Sequence, residues 1–137
     1  MSEVQSFEGF CGRVAKAEFA PLYLIHGDET YLQHESLKIL CEALVPEGLR
    51  DFNLQVFQED ASPERVRDAI EMLPMMSPLR VVVLKQGTEW SDKSWTELQA
   101  HLDKPIDSTV FIVTGEKIDR RKKWAKAFLQ NGIVLEL

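Results

Sequence analysis

Between an apolar, β-prone run, Leu22-Tyr23-Leu24-Ile25, and a helically spaced segment, Tyr31 to Leu44, stand His26-Gly27-Asp28-Glu29-Thr30-Tyr31-Leu32-Gln33. Strand, glycine turn and helix start, in that order, are how proteins build a phosphate cradle. Backbone N–H groups wrap the phosphates, a Lys neutralises them, and a hydroxyl residue after the Lys holds magnesium. This span has a single glycine, two acids and no Lys-Ser or Lys-Thr pair. Asp28 and Glu29 would repel a triphosphate, and Tyr31 and Leu32 would occupy the space it needs. Gly27, Asp28, Glu29 and Thr30 therefore read as a degenerate, non-binding phosphate loop. Gly27 supplies backbone freedom, Asp28 serves as N-cap, and Glu29 sits near the helix's positive end. No nucleotide or other cofactor is expected.

Other catalytic arrangements are absent from the sequence. His26, His34 and His101 are too few and too scattered for a metal site, and no Gly-x-Ser-x-Gly elbow occurs. Cys11 and Cys41 stand alone, without metal-type spacing or a disulfide framework, and suit a reducing cytoplasm. The acids mostly lie at helical spacing beside Lys or Arg, the pattern of a solvated face. Two stretches remain unusual. In Met72-Leu73-Pro74-Met75-Met76-Ser77-Pro78, flexible thioethers are bracketed by prolines. They either cap the core or form an apolar plug for a partner's pocket, which Met suits because it adapts its shape. Asp119-Arg120-Arg121-Lys122-Lys123 is a basic cluster opening the last helix. Its readings are a solvated helix face or a contact to DNA backbone or an acidic partner.

The elements that must hold these residues follow from the pattern. At 137 residues, 45% hydrophobic and 28% charged, the chain reads as one soluble domain, 1–137. A net charge of −6 makes the whole domain a poor electrostatic match for DNA. No apolar run approaches the roughly 20 residues that span a bilayer, and the start MSEVQSFEGF lacks a signal-peptide layout. β-Prone runs occur at Leu22–Ile25, Asn53–Phe57, Arg80–Leu84, Thr109–Val113 and Ile133–Leu137. Those beginning at Leu22, Arg80 and Thr109 are apolar on both faces, as central strands of a helix-covered parallel sheet are. Helical segments run from Phe7 to Lys16, Tyr31 to Leu44, Ser62 to Leu73, Trp90 to Leu102 and Asp119 to Gln130. Ser62 is the N-cap of the third, Pro63 its first helical residue, and Asn131-Gly132 stops the last. Alternating β and α elements with short connections imply a doubly wound α/β domain with a five-stranded parallel sheet. The chain ends on a strand, the expected look of a fragment of a longer protein.

Three motifs in order carry a family resemblance. They are Gly27-Asp28-Glu29-Thr30-Tyr31-Leu32, the Leu-Pro-x-x-Ser stretch from Leu73 into the strand at Val81–Val83, and Lys117-Ile118-Asp119-Arg120-Arg121-Lys122-Lys123. Together they cover Pro21 to Leu137 and resemble the delta subunit of the bacterial DNA polymerase III clamp loader. The resemblance implies a RecA-like AAA+ (P-loop NTPase-like) fold whose nucleotide site has degenerated. It implies a subunit that does not hydrolyse ATP but binds the ring-shaped sliding clamp (beta subunit) and opens it for loading onto primed DNA. Polymerase activity would then be its own by association only. The family's clamp-binding element falls on Leu73, Pro74, Met75 and Met76, with Met where many relatives carry Phe. Arg120, Arg121, Lys122 and Lys123 are a possible DNA or partner contact. Full-length members continue into a lid and a C-terminal collar, through which the other loader subunits assemble. The competing reading is a divergent P-loop nucleotide-binding enzyme, which the absent Lys disfavours.

Overall fold

The computed structural model describes residues 3–137. Met1 and Ser2, within the 1–137 domain expected above, lie outside the described residues. The strands are β1 (Glu3–Gln5), β2 (Leu22–His26), β3 (Leu54–Phe57), β4 (Arg80–Leu84), β5 (Thr109–Gly115) and β6 (Ile133–Glu136). They form one sheet in the order β1-β6-β2-β5-β4-β3, every pair parallel. All five strands expected from the sequence are present. The added edge strand, β1, is three residues, Glu-Val-Gln, with no apolar run to announce it. It exists because the edge of β6 offers backbone partners, Glu3 opposite Ile133 and Gln5 opposite Leu135.

Strands β2, β4 and β5 are buried along their whole length. Side chains alternate between the two faces, so each strand feeds two cores. Leu22, Leu24, Val82, Leu84, Phe111 and Val113 face one side. There they meet α4 (Pro63–Glu71), α5 (Asp92–Thr96), α6 (Gln99–Asp103) and α7 (Lys123–Asn131). Tyr23, Ile25, Val81, Val83, Val110 and Ile112 face α1 (Phe7–Ala15) and α2 (Thr30–Leu44) on the other. Trp95 stacks on Trp124 with centroids 4.5 Å apart and meets Phe128 edge-on at 6.0 Å. No helix of the described residues is long and apolar enough to cross a membrane.

Several helix boundaries depart from the sequence reading, each for a local reason. Asn53, expected to open a strand, instead ends α3 (Arg50–Asn53), with its side chain wholly buried. The expected Trp90–Leu102 helix is a 3₁₀ turn at Gly87–Glu89 followed by α5 and α6. Ser91 caps α5 through the Ser94 N–H, and tight bonds from Glu97 and Leu98 back to Ser94 and Trp95 break the run. The last helix starts at Lys123, not Asp119, because the Asp119 carboxylate accepts the Arg121 N–H and draws that segment into a turn. Ser62 and Pro63 act as expected, but the helix they open ends at Glu71, not Leu73. Gly132 follows the last helix in extended backbone, where a Cβ would run into the Leu22 carbonyl. Close approach, not a left-handed turn, requires glycine there.

His101, on α6, sets a pH response. Its ring lies edge-on to Phe111, and among the described residues neither buried nitrogen has a hydrogen-bond partner. Burial lowers its pKa from 6.5 to about 4. Between those values the unfolded chain binds the extra proton, so this contribution is complete above pH 6.5 and is lost as pH falls through about 4. His101→Leu is expected to flatten the pH dependence of stability in that window, read as urea midpoints from pH 7 to 4. An unchanged slope would show that the ring gains a partner when it is protonated.

Candidate functional site

Gly27 leaves the carboxyl end of β2, where doubly wound sheets hold their ligands. Its φ is 141°, and a Cβ would stand 2.6 Å from the Leu137 carbonyl oxygen, so both backbone and space demand glycine. Its N–H donates to the Gly115 carbonyl at 3.1 Å instead of pointing into a cradle. Helix α2 is capped by Glu29, without a side-chain bond, so Asp28 is not the N-cap expected from the sequence.

The residue that closes this loop is Gln33. It stands six positions after Gly27, the register of the Lys in Gly-x-x-x-x-Gly-Lys. Its Nε2 donates to the Gly27 carbonyl at 2.5 Å and to the Gly115 carbonyl at 3.1 Å, and the side chain is buried. A neutral amide thus ties the loop to β5 where a phosphate loop would present a cation. That register was readable in the sequence; the bonds were not. Beside it, burial pushes the His26 pKa down, Glu136 pulls it back up and Arg120 opposes, so the ring adds no charge at neutral pH. Titration with Mg-ATP in a calorimeter is expected to give no saturable heat at micromolar concentration. A saturable isotherm would mean that the loop opens.

The methionine stretch lies at the opposite end of the sheet. Helix α4 ends at Glu71 and β4 begins at Arg80, so residues 72–79 cross the amino edge. Leu73 is 76% exposed, Met75 55% and Met76 83%, while Pro74 is half-buried. The core-capping reading of this cluster therefore does not hold. Met76 has φ 60°, an uncommon conformation for a residue with a side chain. Two buried polar residues from neighbouring elements hold the loop's footing. Asn53 accepts the Met75 N–H at 2.7 Å and donates to the Met75 carbonyl at 2.7 Å and the Leu49 carbonyl at 3.1 Å. Arg80 donates to the carbonyls of Ala69 (2.8 Å) and Phe52 (2.9 Å) and to Gln55 Oε1 (2.8 Å), tying α4, α3 and β3 together. Phe52, next to Asn53 in the chain, is itself exposed. Sequence reasoning missed Asn53 and Arg80. A polar residue inside an apolar run is their only signal, and it does not say which backbone the side chain will meet.

The basic cluster is largely neutralised by its own surroundings. Arg121 forks onto Asp119 at 3.0 Å, Arg120 reaches Glu136 at 3.2 Å, and Lys122 reaches Asp92 at 2.9 Å. Hydrogen bonds from Arg121 hold the Asp119 pKa down at about 2, so the pair persists at neutral pH. Lys123 begins α7. Among the described residues no group of three or more His, Cys, Asp or Glu is arranged to hold a metal ion.

Comparison with known proteins shows the family and the fold. The family described as DNA polymerase III, delta subunit, matches residues 23–137. The chain is similar to the DNA polymerase III subunit delta of Bacillus subtilis, with 32% identity over 133 residues, 88% of this chain and 38% of that protein. It also resembles the solved Bacillus subtilis DNA clamp loader delta protein, at TM-score 0.85 and 29% identity, covering 96% of this chain and 42% of that one. A DNA polymerase III gamma subunit-related protein from Thermotoga maritima superposes at TM-score 0.70 with 11% identity, covering 97% and 46%. Thermotoga maritima RuvB does so at 0.53 with 14% identity, covering 96% and 42%. At such identities the likeness is one of fold, and the fold is the RecA-like α/β unit of AAA+ proteins. The chain spans about two-fifths of the length of the delta relatives.

Proposed function

The chain belongs to the DNA polymerase III delta-subunit family, and on that premise we propose that it grips a ring-shaped sliding clamp and helps hold one interface of the ring open. Leu73, Pro74, Met75 and Met76 carry the contact, and the mechanism is binding, without catalysis by this chain. The observation behind this is the loop at the amino edge: apolar side chains turned to solvent on a backbone held from beneath by a buried amide. An exposed apolar group that adapts its shape suits insertion into a hydrophobic pocket. The prolines at 74 and 78 limit the backbone freedom lost on docking, so more of the contact energy survives as affinity.

In this reading the carboxyl edge keeps the architecture of an ATPase and has lost the nucleotide. Gln33 ties the loop shut, and Asp28 and Glu29 make it hostile to phosphate. That favours a clamp-binding subunit over a divergent nucleotide-hydrolysing enzyme. Assembly with the other loader subunits would fall to the part of the delta relatives that this chain does not span, and the work would take place in the cytoplasm on primed DNA. The deciding experiment is capture of the cognate sliding clamp by the immobilised chain. Micromolar or tighter retention is expected, and no retention at any accessible concentration would remove the proposal.

Direct DNA binding should be slight. With Arg120, Arg121 and Lys122 each on a carboxylate and a net charge of −6, little of this cluster's charge is free to displace counterions from DNA. Fluorescence anisotropy with a labelled duplex should show weak binding that disappears with added salt. Tight binding at physiological salt would assign the cluster a DNA-contacting role.

A further inference from the structure

Residues 73–79 cross the amino edge of the sheet without, among the described residues, any backbone-to-backbone hydrogen bond of their own. Such a segment ordinarily samples many conformations. Among the described residues Ser77 bonds only within the loop, to the N–H and carbonyl of Leu79. The bond that ties the methionines to the body of the domain comes from Asn53. Its amide both accepts from and donates to Met75, at 2.7 Å each way, as a neighbouring strand would. The remaining amide hydrogen is used by the Leu49 carbonyl at 3.1 Å, and the side chain has no exposure to solvent. An amide fits this task because it offers a donor and an acceptor side by side. A hydroxyl has one hydrogen on one oxygen and cannot serve the Met75 N–H, the Met75 carbonyl and the Leu49 carbonyl together; a carboxylate has no donor, and an apolar side chain has neither group.

We infer that Asn53 is a positioning residue for the clamp contact: it does not touch the clamp, but it fixes the backbone from which Met75 and Met76 project. This rests on the reading of that loop as the clamp contact. Prolines 74 and 78 fix their own φ but leave Met75 free to turn, and Met76 holds a left-handed φ of 60°. Without the Asn53 bonds the loop would have to be ordered at the moment of docking, and the cost would appear as lost affinity.

The test compares four variants of the chain for binding to the cognate sliding clamp, at a temperature where each is shown to be folded. Asn53→Ala is expected to weaken binding by about tenfold or more, with faster hydrogen exchange at the Met75 amide. Val134→Ala, a core substitution in β6 away from the loop, should keep binding within about twofold for a comparable fall in Tm. Asn53→Asp, close in shape, guards against Asn53→Ala failing to fold. As a carboxylate it turns an acceptor toward the Met75 and Leu49 carbonyls, and as a carboxylic acid it regains one donor. Its clamp affinity should therefore recover as pH falls through its raised pKa, while that of the parent chain does not. If the Met75→Ala, Met76→Ala double variant loses binding and both Asn53 variants retain it, the positioning role is overturned and the clamp reading stands. If the double variant binds normally, both fail. Equal losses in Asn53→Ala and Val134→Ala would mean that Asn53 acts through global stability alone.

Discussion

Replacing Met75 and Met76 together with Ala is expected to weaken sliding-clamp binding by about one to several orders of magnitude while leaving Tm nearly unchanged. Burying a Met side chain contributes roughly 1.5–3 kcal/mol, and each tenfold in affinity corresponds to about 1.4 kcal/mol. Met76 is 83% exposed and Met75 55%, so most of that burial is available to a partner and little is used by the free domain. Surface plasmon resonance against the clamp gives the affinity, and a thermal melt gives the stability. A variant that unfolds would return the cluster to the core, and one that binds normally would move the contact elsewhere. Leu73, at 76% exposed, should behave in the same way with a smaller loss.

The largest stability effect is expected at Trp95. Its ring stacks on Trp124 at 4.5 Å, meets Trp90 at 5.2 Å and Phe128 at 6.0 Å, and donates its indole N–H to the Gly87 carbonyl at 3.2 Å. It is the keystone through which α5 and α7 rest on β5, and it is almost wholly buried. Trp95→Ala removes this volume at once and should cost about 3–5 kcal/mol. In a domain of this size that lowers Tm by on the order of 10–20 °C. Circular dichroism melts would measure the change, and a loss below about 1 kcal/mol would mean that neighbouring rings collapse into the space. Because Trp90, Trp95 and Trp124 all lie in one cluster, fluorescence should report the same transition.

How much of this was legible beforehand depended on whether the determining contact was local. Apolar runs at Leu22, Arg80 and Thr109 announced central strands, because a strand buried on both faces needs apolar residues at successive positions whatever its neighbours. Ser62-Pro63 marked a helix start because a cap acts within three residues. Gly27 announced a special turn, because its backbone and its close approach to Leu137 leave no room for a side chain. The role proposed for the Leu73–Met76 stretch came from family motifs, since nothing in its composition said whether the methionines turned inward or outward.

Only the tertiary structure decided the rest, because the partners lie far apart in sequence. Asn53 meets Met75 across 22 positions, and Gln33 meets Gly115 across 82. Asn53 looked like the start of a strand and Gln33 like an ordinary helix residue, since their roles reside in carbonyls that chain folding brings to them. The same holds for the basic run, whose Lys122 is matched by Asp92 and whose Arg120 is matched by Glu136. Strand β1 is too short to have a pattern and exists because β6 has a free edge. Local preference and apolar periodicity act over a few residues and so are written in the sequence. The pairing of buried polar groups, the exposure of the methionines and the pairing of an edge strand are properties of which distant segments share a surface, and the fold alone sets that.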